Sequence, residues 1–199
     1  MGTGEPRNPE PFTLEQRLLE AVRRNDRATI ERARALGASL RAKDDIGRST
    51  VLLATLDAGD LPLVEWLHAE GVPVDEPDGG GRTALSFAAE AGRLDLVRWL
   101  VEHGAAADRP DVQRRTPLFH AALGDHADVV AWLLDRGAAP DAPDQFGDTP
   151  LMVACAKGHD ATAALLVRRG ADPRRRDQEG RTVRDRRAPG ACRFLDDAA

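Results

Sequence analysis

The sequence predicts an all-α solenoid of stacked helix-turn-helix units with short hairpin-like fingers between them. The main observation is a period. Trp66, Trp99 and Trp132 lie 33 residues apart, and the same step joins Gly71, Gly104, Gly137 and Gly170. It also joins Thr50, Thr83, Thr116, Thr149 and Thr182, and Asp45, Asp78, Asp111, Asp144 and Asp177. Residue types sharing one phase mark a repeat array, in which no unit hides its apolar face alone. The second observation is a shortage of rings: 5 Phe, 3 Trp and no Tyr among 199 residues. A core of Leu, Val and Ala suits small, closely packed helices.

Each element of a unit has a local cause. Thr116–Pro117 and Thr149–Pro150 pair an N-cap with a proline at the first helical position. Leu151, Ala154 and Cys155 then share one face of a short first helix. Gly158 ends it, where a left-handed residue costs glycine little. A second helix is expected over 160–169, with Leu165 and Leu166 inward, stopping at Gly170. Leu67, Leu100, Leu133 and Leu166 form a buried column, and the tryptophans are assigned to packing on the second helices. Ala88, Ala121 and Ala154 share one column, and Ala89, Ala122 and Cys155 the next. A leucine there would overpack by about 1–3 kcal/mol, so Cys155 reads as a small buried hydrophobe. Cys155 and Cys192 are the only cysteines, with no CxxC spacing, which reads as two reduced thiols in a reducing compartment.

The units TPLFHA from Thr116 and TPLMVA from Thr149, with the GAD that begins at Gly170, resemble the ankyrin repeat family over roughly residues 14–182. The resemblance implies a concave face, built from fingers and the exposed side of first helices, that takes up a partner protein. Carried to this chain, the partner-binding positions are Ile46, Arg48, Arg82, Val112, Arg115, Leu123, Phe146, Asp148, Lys157 and Arg181. Ile46, Val112, Leu123 and Phe146 are apolar where solvent would otherwise be faced.

The expected organisation is a disordered tail over 1–12 and one repeat domain over 13–187. Its units are 13–44, 45–77, 78–110, 111–143 and 144–176, with a partial unit 177–187. A C-terminal clasp or tail follows over 188–199. Thr13 with Gln16 forms a capping box for the first helix. Asn25 and Asp125 occupy positions where other units have glycine, and both residue types tolerate the left-handed state. Gly47 and Gly81 are 34 residues apart whereas Thr50 and Thr83 are 33 apart, so one extra residue lies between Gly47 and Gly59, and either Ser49 or Thr50 serves as the cap. Cys192, Phe194 and Leu195 are expected to fold back over the last full unit.

Composition and motifs narrow the function. A net charge of -5 argues against a nucleic-acid binder, which needs a basic surface. One basic stretch stands out, with nine Arg against four acidic residues over 168–187. It reads as a solvated face or as a docking site for an acidic peptide or phosphate. No run of 18 apolar residues is present, so no membrane span is expected, and the lack of an apolar leader points to a cytoplasmic protein. P-loop, GxGxxG, HExxH and GxSxG motifs are missing. Of the five histidines, none has metal-ligand spacing; His126 and His159 are expected to bond a neighbouring backbone. The expectation is therefore a non-enzymatic protein-binding module without cofactor or metal, monomeric when unbound. The alternatives are an accessory or regulatory subunit of one enzyme, including a toxin-neutralising one, and a hydrolase or transferase using finger carboxylates.

Overall fold

The computed structural model describes residues 12–58 and 60–196. The described residues form an all-α array of paired short helices joined by fingers, and the chain divides into two compact units, one ending at Val72 and one starting at Pro73.

The first unit holds α1 (Leu14–Arg23), α2 (Arg27–Ala35), α3 (Thr50–Leu53) and α4 (Leu61–Ala69). The Thr13 hydroxyl accepts from Gln16 N at 3.1 Å and the Gln16 side chain accepts from Thr13 N at 2.9 Å, completing the expected capping box. Asn25 takes the left-handed state at φ 53°. Leu18, Val22, Ile30, Val51, Leu52, Leu53, Val64 and Leu67 form the core.

The extra residue of this unit is absorbed inside a helix. Ser49 is the cap, its hydroxyl accepting from Leu52 N at 3.3 Å. Thr50 instead donates its hydroxyl to Leu40 O at 2.6 Å. α3 then widens into a π-helical turn over Ala54–Ala58. A π-turn spends one residue more than an α-turn for the same advance, which is how one insertion fits without a new loop. Everything before the insertion is displaced by one residue, so the finger aspartate is Asp44. Its Oδ1 accepts from Ile46 N at 3.2 Å and Arg48 N at 2.9 Å. The 33-residue phase that selects Asp45 and Thr50 is corrected to Asp44 and Ser49.

The second unit contains α5 (Ala84–Glu90), α6 (Leu94–Glu102), α7 (Pro117–Leu123), α8 (Ala127–Asp135), α9 (Pro150–Lys157), α10 (Asp160–Arg168) and the single-turn α11 (Val183–Arg186). Thr83, Thr116 and Thr149 cap their helices through side-chain oxygens. α5 packs on α7 and α7 on α9. The alanine columns make this approach possible: Ala88, Ala89, Ala121, Ala122 and Ala154 are fully buried. Leu100, Leu133 and Leu166 are buried to the same degree, as their phase predicts. Trp99 and Trp132 are half-buried. Trp99 stacks on His103 and Trp132 carries the Arg136 guanidinium 4.6 Å from its ring centroid. His126 and His159 bond the carbonyls of Glu90 and Ala122 at 2.8 and 3.2 Å, as expected. Arg114 fills the finger column occupied by Gly81, Gly147 and Gly180, and it keeps their left-handed backbone at φ 64°.

The cysteine reading is corrected. Cys155 and Cys192 form a disulfide with a Cα–Cα separation of 5.8 Å. Distance along the chain concealed the pair, because the segment after α11 turns at Pro189–Gly190 and returns to α9. Cys192 and Leu195 are buried there, while Phe194 is half-buried. Of the expected tail, 1–11 lies outside the described residues, as does 197–199 of the clasp.

Candidate functional site

Each finger is held by one aspartate. In the second unit these are Asp78, Asp111, Asp144 and Asp177. The Oδ1 atom of each accepts from the backbone N–H groups two and four residues on, at 2.8–3.0 Å. Each aspartate N–H also donates to the carbonyl four residues on, closing the hairpin at 2.9–3.0 Å. Asp is favoured here because a short carboxylate satisfies turn amides that the hairpin leaves open.

The fingers of this unit are then tied to one another. Val112 N donates to Gly80 O, Gln145 N to Gln113 O and Gln178 N to Phe146 O, at 2.8–3.0 Å. The approach is close enough that a Cβ on Gly81 would sit 3.0 Å from Val112 N, and one on Gly147 would sit 2.9 Å from Gln178 N. The result is a row of rigid tips, on which Val112 is 68% exposed and Phe146 54%. The sequence expectation of apolar residues facing solvent therefore holds at these two tips, and Ile46 is likewise exposed in the first unit. Lys157 is exposed, and Leu123 is half-buried at the end of α7.

The charged candidates Arg48, Arg82, Arg115, Asp148 and Arg181 are engaged within the chain. In the first unit Arg48 Nε donates to Asp44 Oδ2 at 2.6 Å. In the second, Arg82 pairs with Glu90 and lies 3.6 Å over the Phe87 ring centroid. Arg115 approaches Asp144 at 3.6 Å, and Arg181 donates to Asp177 at 2.9 Å. Asp148 accepts from Arg186 at 2.6 Å. These side chains are therefore pre-positioned, and little of their rotamer entropy remains to be lost on binding.

Two contacts escaped the sequence reading. His120 Nε2 lies 3.0 Å from Asp111 Oδ2, with both side chains buried. An ionised carboxylate only accepts, so Nε2 carries the proton. Arg186 Nη1 donates to Asp177 Oδ2 at 3.0 Å. His120 and Arg186 occupy the same repeat column, each nine residues after its finger aspartate, where Phe87 and Val153 stand in the other units. The available signal was a polar residue in an otherwise apolar column.

Burial, followed by the Arg82 charge, lowers the His120 pKa from its ordinary value, against the pull of Asp111 and Glu90. Burial pushes the Asp148 carboxyl up, aided by Asp144 and Asp177, despite Arg186. For Asp177 burial also acts upward, but the Arg181 amide and the Arg181 and Arg186 guanidiniums outweigh it and hold the group at about 2.

Among the described residues, no group of three or more His, Cys, Asp or Glu is placed to hold a metal ion. Among the same residues, no helix is long and apolar enough to cross a membrane. No curated protein is similar enough to count as a match. A family model described as ankyrin repeats matches three times, over residues 18–111, 51–144 and 106–177. These spans cover most of the chain and coincide with the capped helix pairs and aspartate-held fingers, so the chain belongs to the ankyrin repeat family.

Proposed function

We propose that this chain is a non-enzymatic protein-binding module whose second unit presents fingers and first helices to a partner protein. The observation that carries the reading is the exposed pair Val112 and Phe146 on fingers bonded backbone to backbone. Nothing inside the unit requires a ring at Phe146, whose column otherwise holds Gly80, Gln113 and Glu179. Large exposed apolar side chains on a rigid support are what a binding surface needs, since their burial adds affinity at small entropic cost. An aromatic anchor of this kind contributes about 2 kcal/mol or more. Arg82, Arg115, Leu123, Asp148, Lys157 and Arg181 are the further contact positions on this reading, and the charged ones orient the partner. Ile46 and Arg48 offer a similar pair in the first unit. The unbound protein is a monomer on this reading.

Capture from the native host, with Phe146→Ala compared against the unaltered chain, tests it. The variant is expected to keep its unfolding midpoint and to weaken binding by about tenfold or more. A large loss of stability with unaltered affinity in the folded fraction would return Phe146 to a packing role.

A further inference from the structure

We propose that Cys155–Cys192 is a redox latch on the C-terminal strap, residues 188–196, and that opening it loosens Arg186 from the finger carboxylates. The inference does not depend on the binding function. It starts from α9, where Cys155 stands in a column filled by Ala89 and Ala122 in the preceding first helices. Alanine packs there without loss, so the packing does not require the sulfur. Its use is the bond to Cys192.

The strap has few other ties. Ala188 N donates to Cys155 O at 3.0 Å and Cys192 N to Asp160 Oδ1 at 2.9 Å. Arg187 donates to Cys192 O at 3.3 Å and to Asp196 at 2.9 Å, and Arg184 donates to Leu195 O. Ala191, Cys192 and Leu195 are the strap's buried side chains. Cys192 is held at φ 50°, a left-handed conformation that costs a non-glycine residue and that relaxes when the tether goes. Pro189 and Gly190 are exposed and sit where the strap leaves the body. Both sulfurs are enclosed, yet lifting this short segment exposes them without unfolding a full repeat.

The consequence reaches the fingers through α11. That helix is one turn long and joins the strap directly. Its Arg186 bridges Asp148 and Asp177 at 2.6 and 3.0 Å. With the latch closed, Arg186 is fixed between the two carboxylates. With it open, α11 loses its downstream anchor and Arg186 its fixed position. In the opening step a thiolate of a small dithiol attacks one sulfur, the S–S bond breaks, and a mixed disulfide forms. The second thiolate of the reagent resolves it. The protein ends with two thiols, having gained two electrons and two protons, and the dithiol ends as a disulfide. A reducing compartment keeps the latch open and an oxidising one closes it.

Hydrogen exchange on the full chain tests this, with and without dithiothreitol, alongside Cys155→Ala. That variant restores the alanine column and loses only the bond. Thiol titration of the oxidised chain is expected to find no free thiol. Peptides covering 183–196 are expected to exchange about tenfold faster after reduction, with those of α7 unchanged. Cys155→Ala is expected to match the reduced chain in both conditions. Two free thiols in the oxidised chain would overturn the proposal. So would equal exchange of the oxidised and reduced forms, or reduction that proceeds only with loss of protection in α7.

Discussion

The first helix that follows the Asp44 finger and the one that follows the Asp111 finger solve the same packing problem with different numbers of residues. α7 runs as a regular helix from the Thr116 cap to Leu123, and its two alanine columns are fully buried. The other starts from the Ser49 cap and spends an extra residue in a π-turn over Ala54–Ala58. The cap and the finger before it are regular in both cases. The difference shows that the repeat tolerates a length error in a helix more readily than in a finger, because a finger is tied at both ends. In the second unit the fingers are also bonded to each other, and they leave no room for a Cβ at Gly147 and little at Gly81.

The sharpest test is to delete one residue from each helix. Deleting Leu118 rotates the rest of α7, residues 119–123, by about 100° and turns the buried Phe119, Ala121 and Ala122 away from α5 and α9. The loss is expected to exceed about 4 kcal/mol, with helical signal lost at room temperature. Deleting Leu56 leaves Ala54 and Thr55 in the two alanine columns and restores the 33-residue phase. Its cost is expected to stay below about 1.5 kcal/mol, the burial of one half-buried leucine. Urea midpoints with circular dichroism decide this, and equal costs would show that the π-turn is not where the insertion is absorbed.

A smaller effect checks the phase of the second helices in the regular region. Leu100 is fully buried and Arg98 exposed. Leu100→Ala is expected to cost about 2–5 kcal/mol through lost transfer energy and a cavity. Arg98→Ala is expected to stay within about 0.5 kcal/mol. Equal midpoint shifts would mean that the inward face is misassigned.

Smaller again is the acid response of the charged finger bases. The His120 pKa in the folded chain lies below its ordinary 6.5, so the unfolded chain binds the proton more readily. The contribution of neutral His120 is therefore full above pH 6.5 and declines as pH falls through that value. Asp177 lies at about 2 when folded against an ordinary 3.8, so its contribution is full above 3.8 and is lost as pH falls toward 2. Stability measured against pH is expected to show two declining limbs. His120→Gln is expected to flatten the upper limb and leave the lower one. An unchanged upper limb would remove His120 from the account.

The array, its caps and its buried columns were legible in the sequence, because each depends on interactions within a few residues repeated at a fixed period. Thr149 caps a helix with its own side chain, and Leu100 faces inward by helical phase alone. The exposed tips at Val112 and Phe146 followed from the family resemblance, which assigns those positions to the fingers. The ion contacts beneath them did not, because Asp177 reaches Arg186, and Arg186 reaches Asp148, only after two fingers and a one-turn helix have been set side by side. Periodicity located the extra residue of the Asp44 finger repeat only to a range, since Ser49 and Thr50 are equally good caps by residue type. Packing chose between them by giving the Thr50 hydroxyl the carbonyl of Leu40. The same distinction governs the cysteines: residue type and spacing describe two separate small side chains, and the return of the strap to α9 brings their Cα atoms within 5.8 Å. Local hydrogen bonds and periodic burial are written along the chain, whereas pairings between distant side chains depend on the distances that packing sets.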